Sequence, residues 1–293
     1  LKTLFLIIAL SIFPKMVTAE TVFTVRGPEY EGDQRMNYDY ALVKLALEKT
    51  ISSYGSYRIE RTPVGLNYKR AYEFAKSGLY KNFFLRAMVS DQSLNELRPV
   101  YFPIDRGITG YRIALISSFS QSRISKIETL EDLKKFQVVQ GIGWPDTNIL
   151  KSNGVKVVTG PGFESMREMV AHGRVDMFLR GANEVEAEVK NQKLPVTLYV
   201  ESEILIHYPF PRFFFTTKDN HKAAKRLSEG LKLACEDGSF LKLWSDYFGK
   251  SIHKLNLSNR KYIKLENPYL EKISSKLNIL QSLPAECKEI AIH

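Results

Sequence analysis

Apolar residues recur along the chain in two rhythms: short runs or alternations typical of strands, and a three-to-four-residue spacing typical of helices. "TVFTVR" predicts a strand from Thr21, stopped by Gly27-Pro28. "YDYALVKLALEKT" predicts a helix with Asn37 as its cap and Lys49 in its last turn. "YRIERTPV" reads as a second strand and "NFFLRAM" as a third. Between them "NYKRAYEFAKSG" sets Tyr68, Ala71, Tyr72 and Ala75 on one helical face and stops at Gly78. Strands separated by helices of this length imply βαβ units and a parallel sheet.

An extended passage follows, "LRPVYFPIDRGITGYRIALISS", ending in a strand, and then the alternation resumes. "TLEDLKKF", "DTNILKSNG", "ESMREMVAHG" and "NEVEAEVKNQ" predict helices; "QVVQ", "VKVVT", "VDMFL" and "PVTLYV" predict strands. A second extended passage, "ILIHYPFPRFFFTT", leads to the closing helices "NHKAAKRLSEGLKLACEDG" and "SFLKLWSDYFG". Both extended passages are too long for ordinary loops and rich in aromatics and proline. They favour two α/β lobes joined by two crossings over one doubly wound domain. The expected division is a leader over 1–19, a first lobe over 20–118 and 209–250, a second lobe over 119–208, and a polar tail over 251–293 wrapping the surface.

The leader is read from "LKTLFLIIALSIFPKMVTAE": Lys2, an apolar run from Leu4 to Phe13, and the small-residue site Val17-Thr18-Ala19. This is the layout of a secretory signal, and the run is too short to span a bilayer. No Cys follows it to carry a lipid. The mature protein is therefore expected to be soluble and exported to the periplasm. Its two cysteines, Cys235 and Cys287, then meet an oxidising compartment; spacing alone does not decide whether they pair. Two distant Cys and five scattered His are too few for a metal site, and no cofactor motif is present.

Formal charge is +10, falling to +8 when Lys2 and Lys15 leave with the leader. Export and the absence of a basic run argue against nucleic acid as the partner, and leave a basic surface able to steer anionic solutes.

Four stretches together resemble the type II periplasmic solute-binding proteins, the amino-acid-receptor-like branch of the ABC-transporter binding proteins (extracellular solute-binding family 3). They are "VRGPEYEG", "DLKKFQVVQGIGWPDTNIL", "MVAHGRVDMF" and "GSFLKLWSDYFG", spanning about Val22 to Gly249. The resemblance implies hinged lobes, each a mostly parallel sheet flanked by helices, closing over a small ligand at the strand ends. It also implies a monomer that presents the ligand to an ABC permease, or to a membrane sensor. An enzyme is the rival class, since periplasmic dehydratases share the fold. Glu184, Asp146 or His207 would be its acid or base, but no catalytic spacing selects them, and no catalytic residue is assigned.

Strand ends supply the candidate ligand residues. Arg26, Arg86 and Arg180 stand at or near them, and Arg112 lies just inside the strand after the first crossing. Guanidinium groups converging on one cleft repel unless an anion joins them, and Arg matches a carboxylate or phosphate with paired donors. After Gly141 and Gly143, Asp146 or Thr147 is expected to cap a helix facing the cleft, with Trp144 as an apolar wall. The resemblance places Tyr30 against the ligand. The sequence departs from the amino-acid-binding pattern at two places. "VSDQSLNELRP" lacks the usual Thr-x-x-Arg, and Arg180 replaces the usual Asp, with Glu184 one turn on. An anionic or dipolar small molecule remains, held by Arg112 and Arg180, with Glu184 meeting an amine or Arg180 itself.

Overall fold

The structure is a computed structural model that describes residues 20–190 and 197–288. The expected leader lies outside them. Among the described residues no helix is long and apolar enough to cross a membrane.

The first series runs β1 (Thr21–Val25), α1 (Asn37–Lys49), α2 (Ile51–Tyr54), β2 (Tyr57–Arg61), α3 (Tyr68–Ser77), β3 (Phe83–Met88), α4 (Asp91–Glu96) and β4 (Arg98–Val100). The second runs β5 (Tyr111–Ile116), α5 (Gln121–Ile124), α6 (Leu130–Leu133), β6 (Gln137–Gly141), α7 (Pro145–Ser152), β7 (Lys156–Gly160), α8 (Phe163–Ala171), β8 (Met177–Gly181), α9 (Val185–Lys190), β9 (Tyr199–Val200) and β10 (Ile204–His207). The chain then returns through β11 (Arg212–Thr216), α10 (His221–Glu236) and α11 (Ser239–Trp244). It ends with α12 (Lys250–Leu255), β12 (Lys261–Lys264), α13 (Pro268–Leu277) and α14 (Ala285–Lys288).

Two sheets result. The first has the order β2-β1-β3-β11-β4 and the second β12-β10-β5-β8-β6-β7, with β9 beside β5. The βαβ units give the expected parallel pairs, β1 with β2 and β3, and β6 with β7 and β8. The strands at the crossings, β5 and β11, run antiparallel to their neighbours. Alternation along β3 sends Phe84 towards α1 and α10, and Phe83, Leu85 and Ala87 towards α3 and α4, so both faces of the sheet are covered. Gly230 of α10 sits against the α1 backbone, where a Cβ would lie 2.0 Å from the Ala46 carbonyl oxygen.

The first crossing comes earlier than the sequence suggests. The strand Tyr111–Ile116, expected to close the first lobe before residue 118, is a fully buried central strand of the second sheet. The chain crosses near Gly110 and returns near Tyr208. There the two segments run side by side, joined by Tyr208 N–H donating to the Gly110 carbonyl at 3.2 Å. A Cβ on Gly110 would meet the Tyr208 carbonyl oxygen at 2.4 Å, so only glycine permits this approach.

The tail also departs from expectation. It does not merely cover the surface: β12 joins the second sheet parallel to β10. Its alternation explains this, because Ile263 and Leu265 are buried while Tyr262 and Lys264 face outward. The two cysteines are joined, Cys235 of α10 to Cys287 of α14.

Candidate functional site

Antiparallel β5 and β11 begin at the edge where the parallel strands end. Arg112 and Arg212, the second and first residues of these strands, therefore stand beside Arg26, Arg86 and Arg180. Register pairs Arg112 with Gly181, and Arg212 with Met88 two residues beyond Arg86. All five line a cavity between the two sheets, together with Arg35, Glu29, Asp146, Glu184, Tyr68, Trp144 and Phe210. Its atom-free space is about 640 Å³, part of it open to solvent.

Most of these charges are answered by the protein itself. Arg180 donates two hydrogen bonds to Glu188, at 2.8 and 2.6 Å, and reaches Glu184 at 3.1 Å. It also stacks over Trp144 and Phe178, each 5.0 Å away. Burial alone would lower its pKa; Glu184 and Glu188 outweigh that and raise it. Arg86 faces Asp39 at 3.2 Å, Arg26 faces Glu29 at 3.1 Å, and Arg35 is paired with Asp33 at 2.8 Å. The requirement for an external anion, inferred from convergent arginines, is therefore met largely by internal carboxylates. The strand can carry a guanidinium near its end because the turn after β8 and α9 return Glu184 and Glu188 over it.

Two arginines keep unused donors. Arg112 is held at 2.5 Å by Asp146, which also accepts from the Tyr208 hydroxyl at 2.6 Å. Arg212 is less well answered: among the described residues its nearest carboxylates, Glu184 and Asp105, lie at 3.6 and 4.0 Å, and it donates to the Thr109 hydroxyl alone, at 3.3 Å. Among the described residues the Nε atoms of Arg112 and Arg212 are both buried without a hydrogen-bond partner. Burial and the neighbouring Arg86 push the Arg212 pKa below its ordinary value. Burial would raise the Glu184 carboxyl, but Arg180, then Arg212, Arg112 and Arg86, hold it well below the carboxylate range. Asp39 and Asp105, buried beside Arg86 and Arg212, are raised by burial.

Of the residues singled out from sequence, Arg86, Arg112, Trp144, Asp146, Arg180 and Glu184 line this cavity. Tyr30 does not. It lines an adjoining cavity and stacks across the gap on Phe163 of the second lobe, with ring centroids 6.3 Å apart. Thr147 lines neither, and its buried hydroxyl has no partner among the described residues. Neither Asp146 nor Thr147 caps α7. Trp144 holds the cap position without a side-chain bond, and Pro145 fills the first helical turn. Asn37 likewise lies inside α1, whose cap position is Met36. His207 lies away from the cavity, its Nδ1 2.6 Å from the Tyr262 hydroxyl. Arg212 escaped sequence reasoning because its strand reads as a return passage; an antiparallel assignment for "RFFFTT" would have put it at the cleft. Among the described residues no cluster of His, Cys, Asp and Glu suits a metal ion.

No protein-family model matches the chain, and no curated protein matches it. Solved structures do. An ancestral arginine-binding protein bound to glutamine superposes with a TM-score of 0.58 at 17% identity, covering 79% of this chain and 100% of that one. An arginine-specific periplasmic binding protein of Salmonella typhimurium gives 0.57 at 9% identity, covering 78% and 100%. The fold is that of the two-lobed periplasmic binding proteins. An ancestral amino-acid-binding protein described as a precursor of cyclohexadienyl dehydratase gives 0.56 at 16% identity, covering 78% and 95%. In this two-lobed fold the cavity lies between the lobes. Contacts already bridge them: Arg212 with Glu184, and Tyr30 and Arg35 with Phe163. The lobes are drawn together.

Proposed function

We propose that the chain is an exported solute-binding protein whose lobes close over a small ligand carrying both a carboxylate and a positive group. The observation that carries this reading is the pair of buried Nε donors, Arg112 and Arg212, left unused in a cavity whose other charges are paired. A ligand carboxylate at those donors relieves the repulsion between Arg212 and Arg86; the cavity carboxylates that would meet an ammonium or guanidinium are Asp146, beside Arg112, and Glu184, between Arg180 and Arg212. Trp144, Tyr68 and Phe210 supply apolar walls. Neighbours of the same fold that bind arginine or glutamine support an amino-acid-like ligand. Ligand contacts with both lobes favour the closed form, which an ABC permease recognises. A receptor for a membrane sensor would differ only in the partner taking that form.

A thermal-shift screen of free amino acids and small carboxylates tests the reading. The matching ligand raises the unfolding temperature of the wild type and does so far less for Arg212→Gln. Equal responses in both proteins remove Arg212 from the site.

A second reading, a dehydratase-like enzyme, is favoured by the likeness to the dehydratase precursor and by two buried acids, Asp39 and Asp105, with raised pKa. Consumption of the stabilising ligand, followed by chromatography, distinguishes it: binding without turnover excludes the enzyme.

A further inference from the structure

We infer that residues 250–288 form a strap that limits how far the lobes open, and that the Cys235–Cys287 disulfide keeps it closed. The inference rests on the hinged-lobe reading above and adds a restraint to it. A hinge made only of the two crossings near Gly110 and Tyr208 leaves the lobes free to rotate about two backbone segments. Here the chain crosses twice more. It leaves the first lobe after α11, where Tyr247, Phe248 and Ser251 line the cavity beside Tyr30 and Glu188. It reaches the second lobe through Lys254, 2.8 Å from Glu186 of α9.

There it is firmly anchored. β12 pairs with β10 over four residues. Buried Arg260 donates to the Glu201 carbonyl at 2.7 Å and the Leu255 carbonyl at 2.8 Å. The Asn153 side-chain amide donates to the Glu266 carbonyl at 2.8 Å and accepts from the Glu266 N–H at 3.0 Å. Asn267 then donates to the Pro209 carbonyl at 2.7 Å, on the return crossing itself. Across one residue the tail changes lobes again. The Tyr269 hydroxyl accepts from Asn148 of α7 at 2.7 Å, whereas Leu270 packs with the first-lobe core beside α3 and α4. The disulfide then returns the chain to α10, closing a ring 52 residues apart in sequence. Both ends of the ring belong to the first lobe and its middle is a strand of the second. Separating the lobes must stretch or undock a covalently closed loop.

The test measures lobe separation directly and needs no ligand, so it stands apart from the identity of the solute. Azide-bearing residues at exposed Arg58 of β2 and Lys156 of β7 take spin labels without using cysteine chemistry, and pulsed electron spectroscopy gives the distance distribution. It is recorded for the oxidised protein, the same protein in a phosphine reductant, Cys235→Ser/Cys287→Ser, and Arg260→Gln with the disulfide intact. Reduction, loss of both cysteines, or loss of the Arg260 anchor each broadens the distribution to longer distances, and reoxidation reverses the first. If the serine variant does not fold, reduction and Arg260→Gln carry the test. Distributions that coincide in the oxidised, reduced and Arg260→Gln proteins overturn the strap.

Discussion

Replacing Arg180 by Met separates a structural guanidinium from a ligand-binding one. Arg180 makes three short contacts, two to Glu188 and one to Glu184, and is 3% exposed. Its removal leaves Glu188 buried without its guanidinium partner. Deleting one member of a buried ion pair costs about 3–5 kcal/mol, a large part of a total stability of about 5–15 kcal/mol. With a urea slope of about 3 kcal/mol/M the midpoint falls by about 1–2 M. Adding Glu188→Leu removes the second buried charge and restores much of the loss, because a buried pair contributes little net stability over an apolar replacement. The assay is urea unfolding followed by circular dichroism at neutral pH. An unchanged midpoint for Arg180→Met, accompanied by loss of ligand stabilisation, would falsify the structural assignment and return Arg180 to the role of anchor.

Reducing the disulfide frees the unfolded chain and should lower stability by about 4 kcal/mol for a loop of this length in the chain-entropy description; a urea midpoint unaffected by reductant contradicts this. Asp105 has a raised folded pKa, so its contribution is present below about pH 3.9 and is lost as pH rises through the folded value. Asp105→Asn should therefore gain stability relative to wild type between about pH 4 and 7, and a difference independent of pH refutes the burial argument. Glu184 runs oppositely: its contribution is present above about pH 4.3 and fades as pH falls towards its lowered folded value, a dependence that Glu184→Gln should lack. Gly230→Ala forces a methyl group into the α1 backbone and should cost about 1–3 kcal/mol, read as a drop in unfolding temperature; no drop means the two helices part easily.

The fold was largely legible because the apolar rhythm changes from two to three-and-a-half at nearly every boundary, as at "NYKRAYEFAKSG" before "NFFLRAM". The lobe boundary was not, because Tyr111–Ile116 is buried on both faces and, Arg112 apart, apolar, so it suits either sheet. Six of the eight residues singled out from the sequence, read as strand-end or helix-start positions, line the cavity. Tyr30 was displaced because its ring reaches across to Phe163, and Arg212 was hidden by the strand's direction. Arg180 lines the cavity but is occupied by its own glutamates: Glu184 in the turn after β8 and Glu188 in the first turn of α9 bring both carboxylates back over the strand end. Charge pairing of that kind depends on the path of α9 after the strand and leaves no spacing signature of its own.

Calorimetric titration with the ligand that emerges from the thermal screen addresses the closed cleft most directly, wild type beside Arg212→Gln and Arg112→Gln. One site per chain is expected, with a negative heat-capacity change as Trp144 and Phe210 are covered and at least tenfold weaker binding, about 1.4 kcal/mol, in each variant. No saturable heat with any amino acid or small carboxylate, or undiminished affinity in both variants, contradicts the account.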